Sequence, residues 1–350
     1  MNLKSLIIGS AAATVLATGA QAADAVVYAD PEPMEYVRIC DVYGAGFFYI
    51  PGTETCLKIG GYVRFETRAG ISSNIPGFQS GYTTYARFAL QPDVRSETEW
   101  GTLRAFADVW VDYLAGTGGG ALLNEGYIEL IGSSGTLRIG KADTPYTRFL
   151  GYGGLDTVLD VSADVYGIAN GYAFANTNEI SYTFAGANGF SAILAVLDND
   201  NSNTWATNVE GGLLFQQGWG SIGAIAGYDG WTGEWGITAA LTGNFGNTTA
   251  KLQGFYNSDL TGLPDFSQYA IFGPGGVARW SVLGSVAHKF SEQVTLAATG
   301  QWFDNNAGWL AGAEVQYTPV ENLTITPGVH YFEANGANFW GAAVRVQRNF

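Results

Sequence analysis

The stretch CLKIGGYVRFETRAG, residues 56–70, alternates between apolar and polar side chains over most of its length. The apolar set is Leu57, Ile59, Val63 and Phe65, and the polar set is Lys58, Tyr62, Arg64, Glu66 and Arg68. Successive side chains of a β-strand point to opposite faces. The period of two therefore predicts a strand with one apolar face and one polar face.

The same pattern recurs along the chain, and we count 16 such segments between residues 57 and 350. Short connections such as FGNTT and TPVEN alternate with longer ones such as DNDNSNTWAT. An even number of amphipathic strands with this alternation is typical of an antiparallel transmembrane β-barrel, whose backbone groups pair around a closed ring. The fold class is therefore predicted to be all-β. The alternatives are a secreted β-helix or a β-sandwich, and a sandwich would need Greek-key crossovers.

The composition supports a membrane barrel and argues against a nucleic-acid partner. Glycine accounts for 49 of 350 residues, aromatic residues for 14% and charged residues for only 13%, about half the usual charged share. No segment after residue 22 approaches the 18 apolar residues of a transmembrane helix. The net charge is −15, whereas nucleic-acid binding needs a basic surface.

Residues 1–22 are predicted to be a secretory signal peptide. Lys4 precedes an apolar run, and Ala20-Gln21-Ala22 has the small-x-small form of a cleavage site. The alternative, a membrane anchor, is disfavoured because the run is short and rich in alanine. Cleavage would remove Lys4 and leave a net charge of about −16, from −15 less one.

An N-terminal segment, residues 23–56, would then precede the barrel of residues 57–350. Its two cysteines, Cys40 and Cys56, are the only ones in the chain. Export to an oxidising compartment predicts a disulfide between them. Metal binding and a reactive thiol are the alternatives, and both are disfavoured because no histidine lies nearby in the sequence.

The connection after the fifth strand, about residues 142–178, is much longer than the others. It carries Asp156, Asp160 and Asp164, with no lysine or arginine after Arg148. A loop of this length in a compact domain is usually functional.

The chain ends in VRVQRNF, residues 344–350, which continues the strand pattern. Phe350 would lie at the membrane interface, where such barrels carry a girdle of aromatic residues. A terminal phenylalanine also resembles the signal that outer-membrane proteins present to their assembly machinery.

Four segments resemble the general porins of alphaproteobacteria, of the Brucella and rhizobial type. They are EYVRICDVYGAGFFYIPGTETCLKIGGYVRFE, NGFSAILAV, GWGSI and VRVQRNF. The resemblance implies a 16-stranded homotrimer in the outer membrane of a Gram-negative bacterium, surrounded by lipid and lipopolysaccharide. It further implies a water-filled pore for small hydrophilic solutes and ions, narrowed by a third loop that folds inward.

On this reading, arginines in phase on the lumen side of neighbouring strands form a basic wall at the pore constriction. They are Arg64, Arg87, Arg104 and Arg138. We expect these arginines to stack as one ladder, faced by the loop acids Asp156, Asp160 and Asp164. Alternatively, the arginines only solvate a wet lumen or pair with Asp93, Asp108 and Asp112. A separate alternative is that the loop acids face outward and bind divalent ions among lipid headgroups.

The sequence offers little for catalysis, and we expect no catalytic residues, cofactor or metal. Its two histidines, His288 and His330, fall in the lipid-side and lumen-side phases, and no HExxH, CxxC or GxSxG motif is present. Three functions compete: a general diffusion pore, a substrate-specific channel for a solute such as a sugar, and a plugged structural or adhesive barrel. For the pore, the net charge favours a weak cation preference.

Overall fold

The computed structural model describes residues 38–73, 81–153, 175–199, 205–260 and 267–350. Within these ranges the chain is mostly β-strand, with one short α-helix, α1 (Pro145–Arg148), and two single-turn 3-10 helices. No helix in this part of the chain is long and apolar enough to cross a membrane. The predicted signal peptide, residues 1–22, lies outside the described residues.

Sixteen strands, β1 to β16 in chain order, form the barrel. They are β1 (Cys56–Ser73), β2 (Gly81–Thr98), β3 (Gly101–Leu114), β4 (Gly118–Gly132), β5 (Gly135–Asp143), β6 (Asn176–Ala185), β7 (Phe190–Asp198), β8 (Thr207–Gln217), β9 (Gly220–Tyr228), β10 (Trp235–Phe245), β11 (Thr248–Asn257), β12 (Trp280–Lys289), β13 (Val294–Phe303), β14 (Gly308–Val320), β15 (Leu323–Ala334) and β16 (Ala337–Asn349).

The sheet closes into a barrel because β16 pairs with β1. Each strand is antiparallel to the next, and the ring closes with Ala342 opposite Ala69 and Asn349 opposite Tyr62. The strand order follows the chain without a crossover. The prediction of a 16-stranded antiparallel barrel is therefore confirmed, and the β-sandwich alternative is excluded.

Side chains alternate between the two sides of the wall as the period of two predicts. On β1, the outward Val63 and Phe65 are 53% and 48% exposed, whereas the inward Glu66 is fully buried. The barrel therefore has an apolar outer surface and a polar inner surface, the arrangement that a lipid environment requires.

Aromatic rings form a belt on the outer surface where β9–β16 meet the longer connections. The members of this aromatic belt are Tyr228, Trp235, Tyr256, Trp280, Trp302, Trp309, Tyr331 and Trp340. Neighbouring rings touch along the belt, with centroids 4.7 Å apart for Tyr331 and Trp340. Tryptophan and tyrosine concentrate at membrane–water interfaces, so this belt marks one edge of the bilayer.

The connections differ between the two ends of the barrel. At one end they are tight turns, such as residues 99–100, 133–134 and 246–247. At the other end, the third connection runs from residue 144 to 175 and begins with α1. Its predicted acids Asp156, Asp160 and Asp164 lie outside the described residues.

A disulfide joins Cys40 to Cys56 at the start of β1, as the sequence predicts. Both cysteines are buried with Phe47 in a small apolar cluster, and the short strand Phe48–Tyr49 pairs with β1. The segment before the barrel is therefore attached to the first strand by covalent and backbone bonds.

The last residue closes the barrel at the turn end. The Phe350 backbone N–H donates to the Gly61 carbonyl at 3.0 Å. Its ring lies on the outer surface, parallel to Phe88 with centroids 6.2 Å apart. Phe350 is 53% exposed, which fits the predicted position at a membrane interface.

Candidate functional site

The four arginines of the predicted basic wall all lie on the inner face, but the strand register divides them. Arg64 lies opposite Arg87, whereas Arg104 lies opposite Arg95. Arg87 and Arg95 are eight residues apart on β2, which is about 26 Å along an extended strand. The predicted single ladder is therefore wrong, since the register forms two separate arginine groups.

Glu66 is the centre of the first group. Its carboxylate is fully buried and accepts hydrogen bonds from Arg68 and from Arg345 on β16. Arg64 lies 3.8 Å from the same carboxylate and donates to Gln347 at 2.8 Å. The closing strands β16 and β1 are thus joined by a charged network inside the barrel, as well as by their backbone bonds.

Arg87 extends this group toward β3. Its guanidinium binds the Asp112 carboxylate through two hydrogen bonds of 2.7 and 2.9 Å. The guanidinium carbon also lies 3.3 Å from the Trp110 ring centre and 5.3 Å from that of Tyr85. A two-pronged carboxylate bond and a flat ring contact hold this arginine in one orientation.

Two carboxylates organise the second group, near the turn end. Glu129 lies between Arg104 and Arg138, with distances of 2.7 and 2.8 Å. Asp93 accepts from Arg95 at 2.8 Å and lies 2.9 Å from Arg104. This group is a continuous chain of alternating charges across β2–β5.

The alternative that the arginines pair with nearby acids is thus seen for two of its three aspartates, Asp93 and Asp112. The third, Asp108, instead accepts hydrogen bonds from Trp110 and Asn124. The wall of β16 and β1–β5 carries many charges, but most are matched by an opposite charge within hydrogen-bonding distance. Its effect on a passing ion is accordingly weaker than that of four unmatched arginines.

The beginning of the third connection lies against the inner faces of strands across the barrel. The backbone N–H of Tyr146 in α1 donates to Glu210 on β8 at 2.6 Å. Lys251 on β11 donates to the carbonyls of Leu150 and Gly151 at 3.2 and 3.0 Å. Arg148 binds Glu179 on β6. Residues 145–151 are therefore attached to β6, β8 and β11 from the lumen side.

Two phenols in this segment stay protonated over the physiological range. Burial raises the pKa of Tyr146 far above its ordinary value. Burial and the hydrogen bond that its hydroxyl donates to Asp143, at 2.6 Å, raise the pKa of Tyr152 in the same direction. Neither adds negative charge to the lumen.

The structure also identifies site residues that our reading of the sequence did not select. Arg345, Glu66 and Glu129 anchor the two charged groups. All three alternate in sequence with the outward residues of their strands, so the period of two could have predicted that their side chains point inward. Which arginine meets which acid depends on the register between strands, and the sequence does not carry that signal directly.

The two histidines fall on opposite faces, as their phase predicts. His330 is buried on the inner side against the rings of Phe332 and Phe339. His288 lies in the outward phase, with its ring 2.7 Å from the Thr248 hydroxyl.

Comparison with known proteins gives a consistent result over nearly the whole chain. A family model described as the porin subfamily matches residues 24–349. The Omp2b porins of Brucella canis and Brucella neotomae are 38% and 39% identical to this chain, with 100% of both sequences covered in each case.

Solved structures share the architecture at lower sequence identity. A triple mutant of the Rhodopseudomonas blastica porin has a TM-score of 0.56 at 17% identity, covering 84% of this chain and 100% of its own. The outer membrane channel DcaP of Acinetobacter baumannii has a TM-score of 0.60 at 13% identity, with 86% and 99% covered. At these identities the likeness shows the fold alone.

The buried Glu66 network generates a stability prediction. Glu66→Gln leaves the guanidinium groups of Arg68 and Arg345 without their shared negative charge, which costs about 3–5 kcal/mol when the pair is buried. We expect the temperature at which the folded band converts to the unfolded band on gels to fall clearly. Glu292→Gln is the matched control because it breaks an exposed ion pair with Lys289, worth at most about 1 kcal/mol. Equal conversion temperatures for the two variants would contradict the assignment.

Proposed function

This chain belongs to the porin subfamily and forms a channel in the outer membrane, and we propose that the channel is a general diffusion pore for small hydrophilic solutes and ions. One observation carries the proposal. The inner face of the closed barrel bears charged side chains along the length of its strands, from Arg345 and Glu66 to Glu129 and Arg138 near the turn end. A lumen of this kind holds water and offers many weak contacts to a passing polar solute.

A substrate-specific channel is the second candidate, because aromatic rings line part of the same wall. They are Tyr62, Tyr85, Phe106, Trp110 and Tyr127. Each ring has an arginine guanidinium within 5.3 Å of its centre. A sugar would have to displace these cations to stack on the rings, so the arrangement favours the general pore. The plugged structural or adhesive barrel is distinguished from both by conductance.

We further propose that the third connection folds into the lumen and narrows it. The contacts of its first residues support this, since Tyr146, Leu150 and Gly151 bind inward-facing groups on β8 and β11. The chain continues from there toward Asp156, Asp160 and Asp164. These acids would then border a passage whose other side is the charge-matched arginine wall.

Ion preference follows from this arrangement. Most wall arginines are paired with carboxylates, and we propose that the loop acids add the larger share of net charge at the constriction. The pore is therefore proposed to prefer cations weakly. The family identifies a channel rather than an enzyme, and we propose that the protein has no catalytic role, cofactor or resident metal.

The channel is also proposed to be a homotrimer that uses the outer surface of β1–β5 as its interface. The aromatic belt runs over β9–β16, whereas the outer surface of β1–β5 carries two tyrosines at its loop end, Tyr82 and Tyr113, and no tryptophan among the residues described. The rest of this outer surface is apolar, with exposed side chains such as Phe65, Phe88 and Ile128. An apolar surface without the tryptophans that mark a membrane interface suits contact with a second copy.

Two further partners are proposed from position alone. The exposed ring of Phe350, at the turn end, is available as the signal for the outer-membrane assembly machinery. The aromatic belt on the loop side would lie beside outer-membrane lipid and lipopolysaccharide.

The loop acids generate a prediction about ion preference. The triple variant Asp156→Asn, Asp160→Asn and Asp164→Asn should lower the cation-to-anion permeability ratio roughly two-fold or more, because the paired wall then dominates the local field. The measurement is the reversal potential of single channels under a salt gradient. The control Glu292→Gln with Glu321→Gln removes two carboxylates from tight turns and should leave the potential unchanged. An unchanged potential in the triple variant would overturn the proposed loop position.

The interface assignment generates a second prediction. Ala105→Trp on β3 should convert the trimer to monomers, because the added indole would hold the proposed contact surfaces apart. Ala226→Trp on β9 is the matched control, since it places the same ring on an outer surface facing lipid and should leave the trimer intact. Native mass spectrometry in detergent reads out the assembly. Monomers from both variants, or trimers from both, would contradict the assignment of β1–β5.

A further inference from the structure

The described residues of the sixth connection, which joins β11 to β12, lie against the inner side of the barrel wall. Its two short strands, Ile271–Gly273 and Gly276–Ala278, pair with each other and form what we call the inner hairpin. Inward-facing apolar side chains of the wall surround Ile271 and Ala278. They are Phe255, Leu283, Phe303, Leu310, Phe332 and Phe339, each at most 4% exposed. The hairpin therefore fills one side of the barrel at its loop end.

The residues leading into the inner hairpin are bonded to the start of their own connection, to the connection between β9 and β10, and to β8. The backbone N–H of Ser267 donates to Asp259, and that of Gln268 donates to Asp229 between β9 and β10, at 3.0 and 2.9 Å. Asn208 on β8 donates to the Gln268 side chain. This segment holds one fixed position across β8–β11.

Next along the chain, the Tyr269 ring lies in a depression of the wall made by glycines. A Cβ atom added at Gly227 would lie 2.3 Å from the Tyr269 ring, and one added at Gly236 would lie 2.6 Å from the Tyr269 Cβ. A Cβ added at Gly223 would lie 2.6 Å from Leu150 of the third connection. Atoms cannot approach this closely, so these glycines on β9 and β10 are needed to seat the third and sixth connections together.

The two connections meet at this depression. The rings of Tyr146 and Tyr269 have centroids 5.0 Å apart and are almost fully buried. Both residues bind the buried carboxylate of Glu210, Tyr146 through its backbone N–H and Tyr269 through its hydroxyl at 3.1 Å. We call Tyr146, Tyr269 and Glu210 the tyrosine clasp.

We propose that the tyrosine clasp joins the third and sixth connections into one body, which makes the sixth connection a second element that sets the width of the pore. The inference rests on the proposed pore function and adds positioning residues to it. Glu210 is fully buried, and it accepts hydrogen bonds from Tyr146 and Thr144 at the start of the third connection and from Tyr269 of the sixth. A buried carboxylate needs such partners. Moving either connection alone would break a bond to that carboxylate.

The clasp also confines the route of a solute. At the loop end, the inner hairpin covers the inner face of β11–β16, and the clasp covers the inner face of β8–β10. The charged wall of β1–β5 stays on the opposite side. Solutes are thus expected to pass between that wall and the joined connections.

Single-channel recording in planar bilayers tests the proposal. Tyr269→Ala removes the ring and the hydroxyl. It should raise the single-channel conductance roughly 1.5-fold or more, because the released connection would leave a wider pore. It should also add brief closures, because the released connection would move in and out of the pore. Tyr269→Phe keeps the ring and should show a smaller change of the same kind. Gly236→Ala acts from the wall by displacing the ring, and should resemble Tyr269→Ala without altering either connection.

One control separates the clasp from a general effect of losing a tyrosine. Tyr317→Ala removes an outward ring from β14 and should leave conductance unchanged. Each variant is first shown to be folded by its heat-modifiable gel mobility.

Wild-type conductance in both Tyr269→Ala and Gly236→Ala would overturn the clasp, as would an equal rise in Tyr317→Ala. Absence of conductance in the wild type would instead overturn the pore function itself. The two failures are therefore distinguishable within one set of recordings.

Discussion

A membrane-spanning sheet must pair every backbone N–H and C=O group, because hydrocarbon offers no other partner. In this protein the pairing of β16 with β1, over twelve residues from Asn338 to Asn349, closes the ring at one seam and leaves neither of these strands as an open edge. The seam is reinforced inside by Arg345 bound to Glu66, and Phe350 extends it by one more backbone bond to Gly61. Closure fixes which face is inner, and all further features follow from that division.

The inner face carries many charged side chains close together, and each of them needs a partner of opposite charge. Glu66, Asp93 and Glu129 each bind two arginines, and rings such as Trp110 lie flat against the guanidinium groups. Charges arranged in this way are held by each other and by the wall, so they present a rigid surface with little unmatched charge. A rigid, nearly balanced surface suits a channel that admits many solutes without binding any one of them tightly.

The sequence predicts the parts of this fold that depend on local pattern. The period of two predicts the strands and their inner and outer faces. It also predicts the inward position of Arg64, Arg87, Arg104 and Arg138. The expected export of the chain predicts the disulfide between Cys40 and Cys56. What it did not give depends on register. Arg87 and Arg104 stand on adjacent strands, yet the pairing places Arg95 beside Arg104. A shift between strands leaves the pattern of each strand unchanged, so alternation alone could not separate the two groups.

The inner hairpin and the tyrosine clasp were missed for a related reason. Residues 267–278 lack the length of a barrel strand, and Gly227 and Gly236 appear in the sequence as ordinary members of glycine-rich strands. Their meaning depends on Tyr269, which comes from a distant connection and needs the space that a missing side chain leaves. The acids Asp156, Asp160 and Asp164 remain a sequence prediction, since they lie outside the described residues.

The measurement that tests the account most directly is the single-channel conductance of the refolded wild-type protein over a wide range of potassium chloride concentrations. A water-filled pore with a balanced wall predicts conductance that rises in proportion to the conductivity of the bulk solution. Saturation at low salt would show a binding site inside the channel and contradict the general pore. Absence of conductance from protein that is folded by heat-modifiable gel mobility would contradict the open channel altogether.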